Sequence, residues 1–387
     1  MFQWINPMQC TGCSACAAIC PSACIQVKVN KNGFYIPIID SKGCIQCHKC
    51  ENTCPVIHST NQKQEDTMAF AAISKHDLIR SESSSGGVFS ELANYVLDNG
   101  GCVFGAAFTK DFRVKHICVE NKQQLNRLRG AKYAQSWMGN CFSEVEKRLR
   151  SKQIVLFSGL PCQIAGLQSY LKKRYENLIT VDFICHGVPS SGVWKQYVSY
   201  RAQKDNNGKL PQYIKLRCKS TGWSRYQYSV EFYYTDGKKY SCINTKDPFM
   251  KLFVGDYINR QSCANCRFKG FHRTSDITLG DFWGVWDYYP DMDDNKGTSI
   301  LLIHSIRGMR IFSFIQKNLR YKSVQLDEVS AQNRSVLTSS PSNAKRDVII
   351  QKSLEGNFEE IMIYLERNIP RKPSILHRIW NKYIANK

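Results

Sequence analysis

Eight cysteines near the start of the chain constrain its fold more than any other feature. Cys10, Cys13, Cys16 and Cys20 precede a proline, and the same spacing returns at Cys44, Cys47, Cys50 and Cys54 before a second proline. In this pattern three closely spaced thiolates hold one cubane cluster, and the fourth ligates the other. The spacing predicts two [4Fe–4S] clusters with crossed ligands: Cys10, Cys13, Cys16 and Cys54 for one, and Cys44, Cys47, Cys50 and Cys20 for the second.

The alternatives for these cysteines are a pair of zinc knuckles or a disulfide framework. Zinc sites usually combine two cysteine pairs with a longer gap between them, which the repeated run of four does not show. Between the two runs, residues 24–29 and 34–39 predict a short β-hairpin around an Asn/Gly turn. The first 60 residues therefore predict a bacterial-type dicluster ferredoxin module.

Composition indicates the class of protein and the cellular compartment. It has 387 residues, 18 cysteines and 43% hydrophobic residues, enough for a sizeable core. We find no run of roughly eighteen apolar residues and no basic segment followed by an apolar one at the start. We therefore expect a cytoplasmic protein whose cysteines act as ligands or lie buried.

The net charge of +21 predicts acidic binding partners. No helix-turn-helix or zinc-finger pattern supports nucleic-acid binding, so we expect none. The favoured partner is an acidic redox protein, such as ferredoxin or a partner oxidoreductase subunit.

The remainder of the chain predicts an α/β domain. Apolar runs at 68–74, 102–108, 154–159 and 178–183 are typical of buried strands and alternate with helical segments. Alternating segments at 213–218 and 226–234 indicate a β-rich insertion. The fold class predicted for the whole chain is α+β: the ferredoxin module, then an α/β domain with this insertion, then a helical tail.

Four further cysteines form a second constellation. Cys162 and Cys185 each follow a predicted strand, and Cys263 and Cys266 form a CxxC pair. Ligands gather at the carboxyl ends of strands in α/β layouts, so these four could hold a third [4Fe–4S] cluster or a zinc ion. The alternative is two unrelated buried cysteines beside an idle CxxC.

A small-residue turn, Ser84-Ser85-Gly86-Gly87, precedes a helical pattern that begins at Val88. Backbone N–H groups at such a helix start bind phosphate, which would suit a flavin or a nucleotide. The alternative is an ordinary serine N-cap. No G-x-G-x-x-G or G-x-x-x-x-G-K-[ST] motif indicates NAD(P) or ATP.

The end of the chain is basic and helical. From Arg367 onward it carries no acidic residue, and apolar residues at 375–376, 379–380 and 383–384 are spaced for one helix face. This pattern is typical of an interfacial helix that makes peripheral contact with a membrane or docks a partner. The alternative is a capping helix with a solvated basic face.

Taken together, the motifs resemble those of the family of the coenzyme F420 hydrogenase/dehydrogenase beta subunit. The resemblance runs from about residue 65 to 325, with the dicluster ferredoxin fused in front. It is carried by Ser84-Ser85-Gly86-Gly87, Lys132-Tyr133-x2-Ser136, Gly159-x-Pro161-Cys162-Gln163, Cys185-His186-Gly187, Cys263-x2-Cys266 and Asp276-x4-Asp281-Phe282-Trp283.

The resemblance implies domains at 1–60 (ferredoxin), 65–150 and 151–325 (the N- and C-terminal family regions) and 326–387 (the tail). It also implies bound FAD, with Ser84, Ser85, Gly86, Gly87, Lys132 and Ser136 near the flavin, and it favours the third cluster. Members with this fusion resemble proteins of bacterial polysaccharide-synthesis loci.

We hypothesise an oxidoreductase that moves electrons between its clusters and a hydride-carrying substrate through FAD. The catalytic residues are unknown at this point. The alternatives are an electron-transfer subunit without a substrate pocket, and a scaffold of a membrane-associated polysaccharide assembly. Flavin content separates the first alternative from the enzyme.

Overall fold

A computed structural model describes residues 5–58 and 66–368. The N-terminal module holds helices α1 (Ala15–Ile19) and α2 (Lys49–Asn52) and strands β1 (Ile25–Val29) and β2 (Tyr35–Ile39). The two strands pair antiparallel, which confirms the predicted hairpin. Gly33 closes the turn with a positive φ of 76°, a conformation that glycine adopts without strain.

The larger part of the described chain contains eleven more strands and twelve more helices. The strands are β3 (Met68–Ser74), β4 (Cys102–Phe108), β5 (Val114–Val119), β6 (Val155–Gly159), β7 (Leu178–Phe183), β8 (Tyr213–Cys218), β9 (Ser229–Tyr233), β10 (Lys239–Ile243), β11 (Ile277–Asp281), β12 (Ser299–Ile303) and β13 (Leu319–Ser323). The helices are α3 (Asp77–Glu82), α4 (Val88–Asp98), α5 (Lys122–Leu125), α6 (Cys141–Arg150), α7 (Pro161–Leu171), α8 (Ser191–Asn206), α9 (Pro248–Val254), α10 (Val285–Tyr288), α11 (Ile306–Ile315), α12 (Leu326–Gln332), α13 (Arg346–Leu354) and α14 (Phe358–Asn368).

An eight-stranded mixed sheet organises this part, in the order β13-β3-β12-β11-β7-β6-β4-β5. The four strands β11, β7, β6 and β4 run parallel to their neighbours within this group, and the strands on either side are antiparallel. Because the four parallel strands share a direction, the residues that follow them meet at one edge of the sheet.

Helices cover both faces of the sheet. Leu92 of α4 and Phe312 of α11 pack with Leu156 of β6 in one buried cluster. Phe142 of α6 and Ile164 of α7 pack with Phe157 on the other face. Side chains of β6 are buried on both faces, which explains its uniformly apolar sequence.

The β-rich insertion is a three-stranded antiparallel sheet, β10-β9-β8, as predicted. It shares a core with α8, α9, α13 and α14, in which Trp194, Phe232 and Phe358 are fully buried. The predicted helical tail contains the helices α12, α13 and α14, the last of which ends at Asn368. Its expected apolar face at 375–384 lies outside the described residues. No helix among the described residues is long and apolar enough to cross a membrane.

The ferredoxin module packs directly on the α/β part. Ser190 Oγ donates to the carbonyl of Asn32 at 2.7 Å, and Ser191 Oγ donates to the carbonyl of Gly33 at 2.7 Å. A side chain on Gly33 would meet Ser190 Oγ at 2.4 Å, so the hairpin turn fits here only as glycine. The N-terminal end of α8 therefore fixes the module.

Candidate functional site

The structure brings the first predicted ligand set together. Gly12 adopts a positive φ of 71° and Ser14 one of 69°, which turn the loop between Cys10 and Cys16 tightly. The pKa of Cys13 is raised to about 12, mainly by burial and in part by the neighbouring Cys10 and Cys54 thiols. Cys54, which comes about 40 residues later in the sequence, therefore lies beside the first cysteine loop, as the crossed ligand set requires.

The second predicted set lies at the surface. Burial raises the pKa of Cys50, with contributions from Cys20 and Cys47, so these thiols are neighbours. Cys47 is exposed, whereas Cys13 and Cys54 of the first set are each 8% exposed. The first site thus faces the protein interior and the second faces solvent.

Cys24, for which the sequence indicates no ligand role, is buried beside the second set. Its Sγ atom lies 3.4 Å from Sγ of Cys20. Its Cβ atom also approaches Gly43, just before Cys44. The thiol therefore packs against the predicted ligands without belonging to either run of four.

The third predicted set lines one open cavity. Cys162 lies in the first turn of α7, Cys185 follows β7, and Cys263 and Cys266 lie in and after the 3-10 turn Gln261–Asn265. Burial raises the pKa of Cys162 well above its usual range, and all three partner thiols add to the shift. The cavity therefore collects four thiols from three separate segments.

Positive charge lies next to these thiols. Burial raises the pKa of Cys185 to about 12, while Lys269 and Arg273 act in the opposite direction. The ammonium of Lys269 donates to the carbonyl of Cys185 and, at 2.8 Å, to that of Ser335. These cations favour the thiolate form that metal binding needs.

In the described ranges, no three His, Cys, Asp or Glu side chains are placed to share a single metal ion. A cubane holds its thiolates at separate corners, so its ligands stand farther apart than those of one ion.

The first and third sites adjoin each other. Thr11, between Cys10 and Cys13, lines the cavity of the third set, and Cys13 contributes to the raised pKa of Cys162. One turn after Cys162, a side chain on Gly166 would come within 3.0 Å of Cys13 Sγ. Helix α7 can therefore lie directly on the first cysteine loop.

The Ser84–Gly87 turn precedes α4 as predicted. The N-cap is Gly87, with a φ of 91° and no side-chain cap, so the alternative of a serine N-cap is wrong. Ser85 Oγ donates to the carbonyl of Thr298 at 3.0 Å, and the N–H of Gly86 donates to Ser299 Oγ at 2.9 Å. The turn is thereby held against β12.

The other two predicted flavin residues face the protein. Lys132 Nζ donates to the carbonyls of Leu128, Arg129 and Gly130 at 2.7–3.1 Å, and burial lowers its pKa to about 7. Ser136 is 6% exposed, and its Oγ lies 2.6 Å from Nδ1 of His116. Ser136 is therefore part of a buried hydrogen bond.

Sequence reasoning missed two basic residues at the end of β8. Lys219 Nζ donates to the carbonyls of Arg80 and Ser85 at 2.6 and 3.2 Å. Arg217 forms a buried ion pair with Asp281 at 3.0 Å. Lys215, Arg217 and Lys219 occupy every second position of the sequence, and this spacing is the signal that could have revealed them.

Comparison with known proteins follows the same division of the chain. Residues 9–57 match the 4Fe-4S dicluster domain, which confirms the predicted dicluster module. Residues 69–141 match the N-terminal region of the coenzyme F420 hydrogenase/dehydrogenase beta subunit, and residues 152–329 match its C terminus.

One curated relative is a subunit of the F(420)H(2) dehydrogenase of Methanosarcina mazei, which is 25% identical over 183 residues. The match covers 44% of this chain and 51% of the relative, so the chain spans about half the length of the protein it matches.

A solved structure, the F420-reducing [NiFe] hydrogenase complex from Methanosarcina barkeri, contains a similar chain. Its TM-score is 0.46 at 15% identity, over 79% of this chain and 92% of that one. That score is too low to establish a shared fold. The matched domains carry the assignment: the chain belongs to the family of the coenzyme F420 hydrogenase/dehydrogenase beta subunit, with a 4Fe-4S dicluster domain at its N-terminal end.

Proposed function

We propose that the chain is an iron–sulfur flavoprotein oxidoreductase that passes electrons between [4Fe–4S] clusters and a hydride-carrying substrate through FAD. The observation that carries the proposal is the single cavity lined by Cys162, Cys185, Cys263 and Cys266 next to the loop of Cys13. A third cubane at this position would stand beside the first.

The order of the three ligand sets supports this function. The Cys44–Cys50 loop is exposed, the set around Cys13 is buried, and the cavity around Cys162 adjoins the Cys13 loop. Electrons from a partner protein would therefore reach the exposed set first. Lys42 and Lys49 are exposed around it, which suits a partner subunit with an acidic surface.

The third set fits a cubane. Its four thiols converge from three segments, and Lys269 and Arg273 offset the negative charge of the thiolates. Hydrogen bonds and nearby charges of this kind tune the potential of a cluster.

For FAD we propose the Ser84–Gly87 turn as the binding segment. We propose that Lys132, whose three donors are bonded to backbone carbonyls, favours the flavin phosphates by its charge. The turn opens the eleven-residue helix α4, whose first N–H groups suit a phosphate, and Lys219 lies beside Ser85. We propose that Ser136 acts through its hydrogen bond with His116. When bound, FAD would couple one-electron transfer to two-electron hydride chemistry.

No feature of the described residues favours a sugar over another substrate, so the proposal does not include a role in polysaccharide synthesis.

The test is the cofactor content of protein purified without oxygen. We expect about twelve irons, four for each of three cubanes, and about one FAD per chain. The double variant Cys162→Ser/Cys263→Ser should fall to about eight irons. Cys242→Ser, a cysteine on β10 outside all three sets, is the matched control and should keep the wild-type content.

About eight irons without flavin in the wild type would refute the enzyme proposal and favour the electron-transfer subunit. One zinc in place of four irons, lost in the Cys162→Ser/Cys263→Ser variant, would show that the third set is a zinc site.

A further inference from the structure

Arg260 joins the segment that carries Cys263 to the loop that carries Cys10. Its carbonyl accepts the N–H of Cys263 at 2.9 Å and thereby starts the 3-10 turn of the third set. Its side chain points the other way: Nε donates to the carbonyl of Cys10 at 2.7 Å, and Nη1 donates to the carbonyl of Tyr35 at 3.0 Å. One residue thus contacts both cysteine segments.

Gln135 completes this contact. Its Oε1 atom accepts the N–H of Tyr35 at 2.8 Å and Nη1 of Arg260 at 3.2 Å, and its Nε2 donates to the carbonyl of Tyr35 at 3.2 Å. A side chain on Gly12 would meet Gln135 Nε2 at 2.4 Å and Arg260 Nη1 at 3.0 Å. The first cysteine loop therefore packs closely against Gln135 and Arg260, with no space left at Gly12 for a side chain.

The guanidinium of Arg260 is buried, with the residue only 6% exposed. The three acceptors named above are neutral amide oxygens, which accept hydrogen bonds from the guanidinium but carry no negative charge to balance it. A second guanidinium, that of Arg346, lies on the same Phe34 ring, each at 5.5 Å from the ring centre. Arg346 pairs with the exposed carboxylate of Asp347. The charge of Arg260 is the buried one, and it is costly unless negative charge lies nearby.

A [4Fe–4S] cluster with four thiolate ligands supplies such negative charge, and it becomes more negative on reduction. The proposal that follows rests on the proposed function. We propose that Arg260 is a positioning residue that fixes the first cluster against the third and, by its charge, raises the reduction potentials of both. Gln135 holds the Arg260 side chain in this orientation.

The test is an anaerobic reductive titration of the full chain, followed by electron paramagnetic resonance. In Arg260→Gln, the charge is lost, so the potentials of the first and third clusters should fall while that of the exposed second cluster changes least. In Gln135→Ala the charge stays, so the potentials should stay close to wild type. The magnetic coupling between the reduced first and third clusters should weaken, because the loop is no longer fixed.

The exposed Arg320→Gln on β13 is the charge-matched control and should change neither quantity. Arg260→Lys keeps the charge but not the two-carbonyl contact, so it should restore the potentials and leave the coupling weakened. Unchanged potentials in an Arg260→Gln variant with full iron content would overturn the proposal. If Arg260→Gln loses iron, the variants Arg260→Lys and Gln135→Ala become the test. Wild-type magnetic coupling between the first and third clusters in both variants would overturn the proposal. A wild-type chain without twelve irons would instead refute the proposed function.

Discussion

Asp276 links two strands by hydrogen bonds: β7, which ends next to the third cysteine set, and β11, which ends next to the flavin motif. Its Oδ2 atom accepts the N–H and the Oγ–H of Thr180 on β7, both at 2.8 Å, and its Oδ1 accepts Ser305 Oγ at 2.7 Å before α11. The residue is 7% exposed, so water does not replace these bonds. We predict that Asp276→Ala destabilises the sheet strongly.

The magnitude follows from the groups left unpaired. A buried donor without a partner costs about 1–3 kcal/mol. The N–H of Thr180 cannot turn away, its hydroxyl finds few other acceptors in the interior, and Ser305 can turn toward solvent. Two unpaired donors therefore give a loss of about 2–6 kcal/mol. Asp276→Asn keeps one acceptor oxygen in place and should lose about 1–3 kcal/mol.

The assay is thermal unfolding without oxygen, followed by circular dichroism. For domains of 150–250 residues each kcal/mol lowers the midpoint by roughly 2–4 °C, and at that rate Asp276→Ala should melt roughly 4–24 °C lower. Asp98→Ala removes an exposed ion pair with Lys122 and is the control that should melt as wild type. A melting temperature of Asp276→Ala equal to that of Asp98→Ala would refute the reasoning.

Three further predictions address the buried groups. Burial lowers the pKa of His116 to about 4 and that of His304 to about 3. Below pH 6.5 the unfolded chain therefore binds protons that the folded chain does not. The free energy of unfolding should fall by about 1.4 kcal/mol per pH unit for each histidine. Thermal unfolding at about pH 6.5 and at about pH 5 would measure this loss. Because burial lowers the pKa of Lys132 to about 7, its charge is lost as pH rises through about 7, and FAD binding to the flavin-free chain should weaken. Lys132→Arg keeps its charge and should remove this pH dependence. Equal pH profiles of FAD binding in the wild type and in Lys132→Arg would contradict the prediction. Cys24→Ala should keep the full iron content, and loss of about four irons would show that Cys24 is a ligand.

The sequence allowed the fold to be predicted where a local pattern decided it. The cysteine spacing and the Asn/Gly turn predicted the hairpin of β1 and β2, and the apolar runs predicted β3, β4, β6 and β7. Cys162 and Cys185 follow β6 and β7 at the same sheet edge, as expected for the ends of parallel strands.

Long-range packing decided the elements that the sequence did not predict. Helix α8 buries Arg201 on the same side as Trp194 and Tyr197, so a charged residue interrupts its apolar face. The partner of Ser136 is His116, twenty residues earlier on β5, and no local pattern indicates that contact. The sequence places Cys162 after a strand, and the structure shows that it also lies inside a helix. Pro161 is favoured at the first helical position, so α7 begins before Cys162.

This early start of α7 determines how the first and third cysteine sets meet. With Cys162 in the first turn, Gly166 lies one turn later on the same side and faces Cys13. A longer residue at 166 would push the first cysteine loop away from the helix, since even a Cβ atom there would stand 3.0 Å from Cys13 Sγ. On the far side of the same loop, Arg260 and Gln135 leave no room at Gly12. The loop is therefore confined between α7 and the turn of Cys263, which explains why glycines stand at both of its contacts.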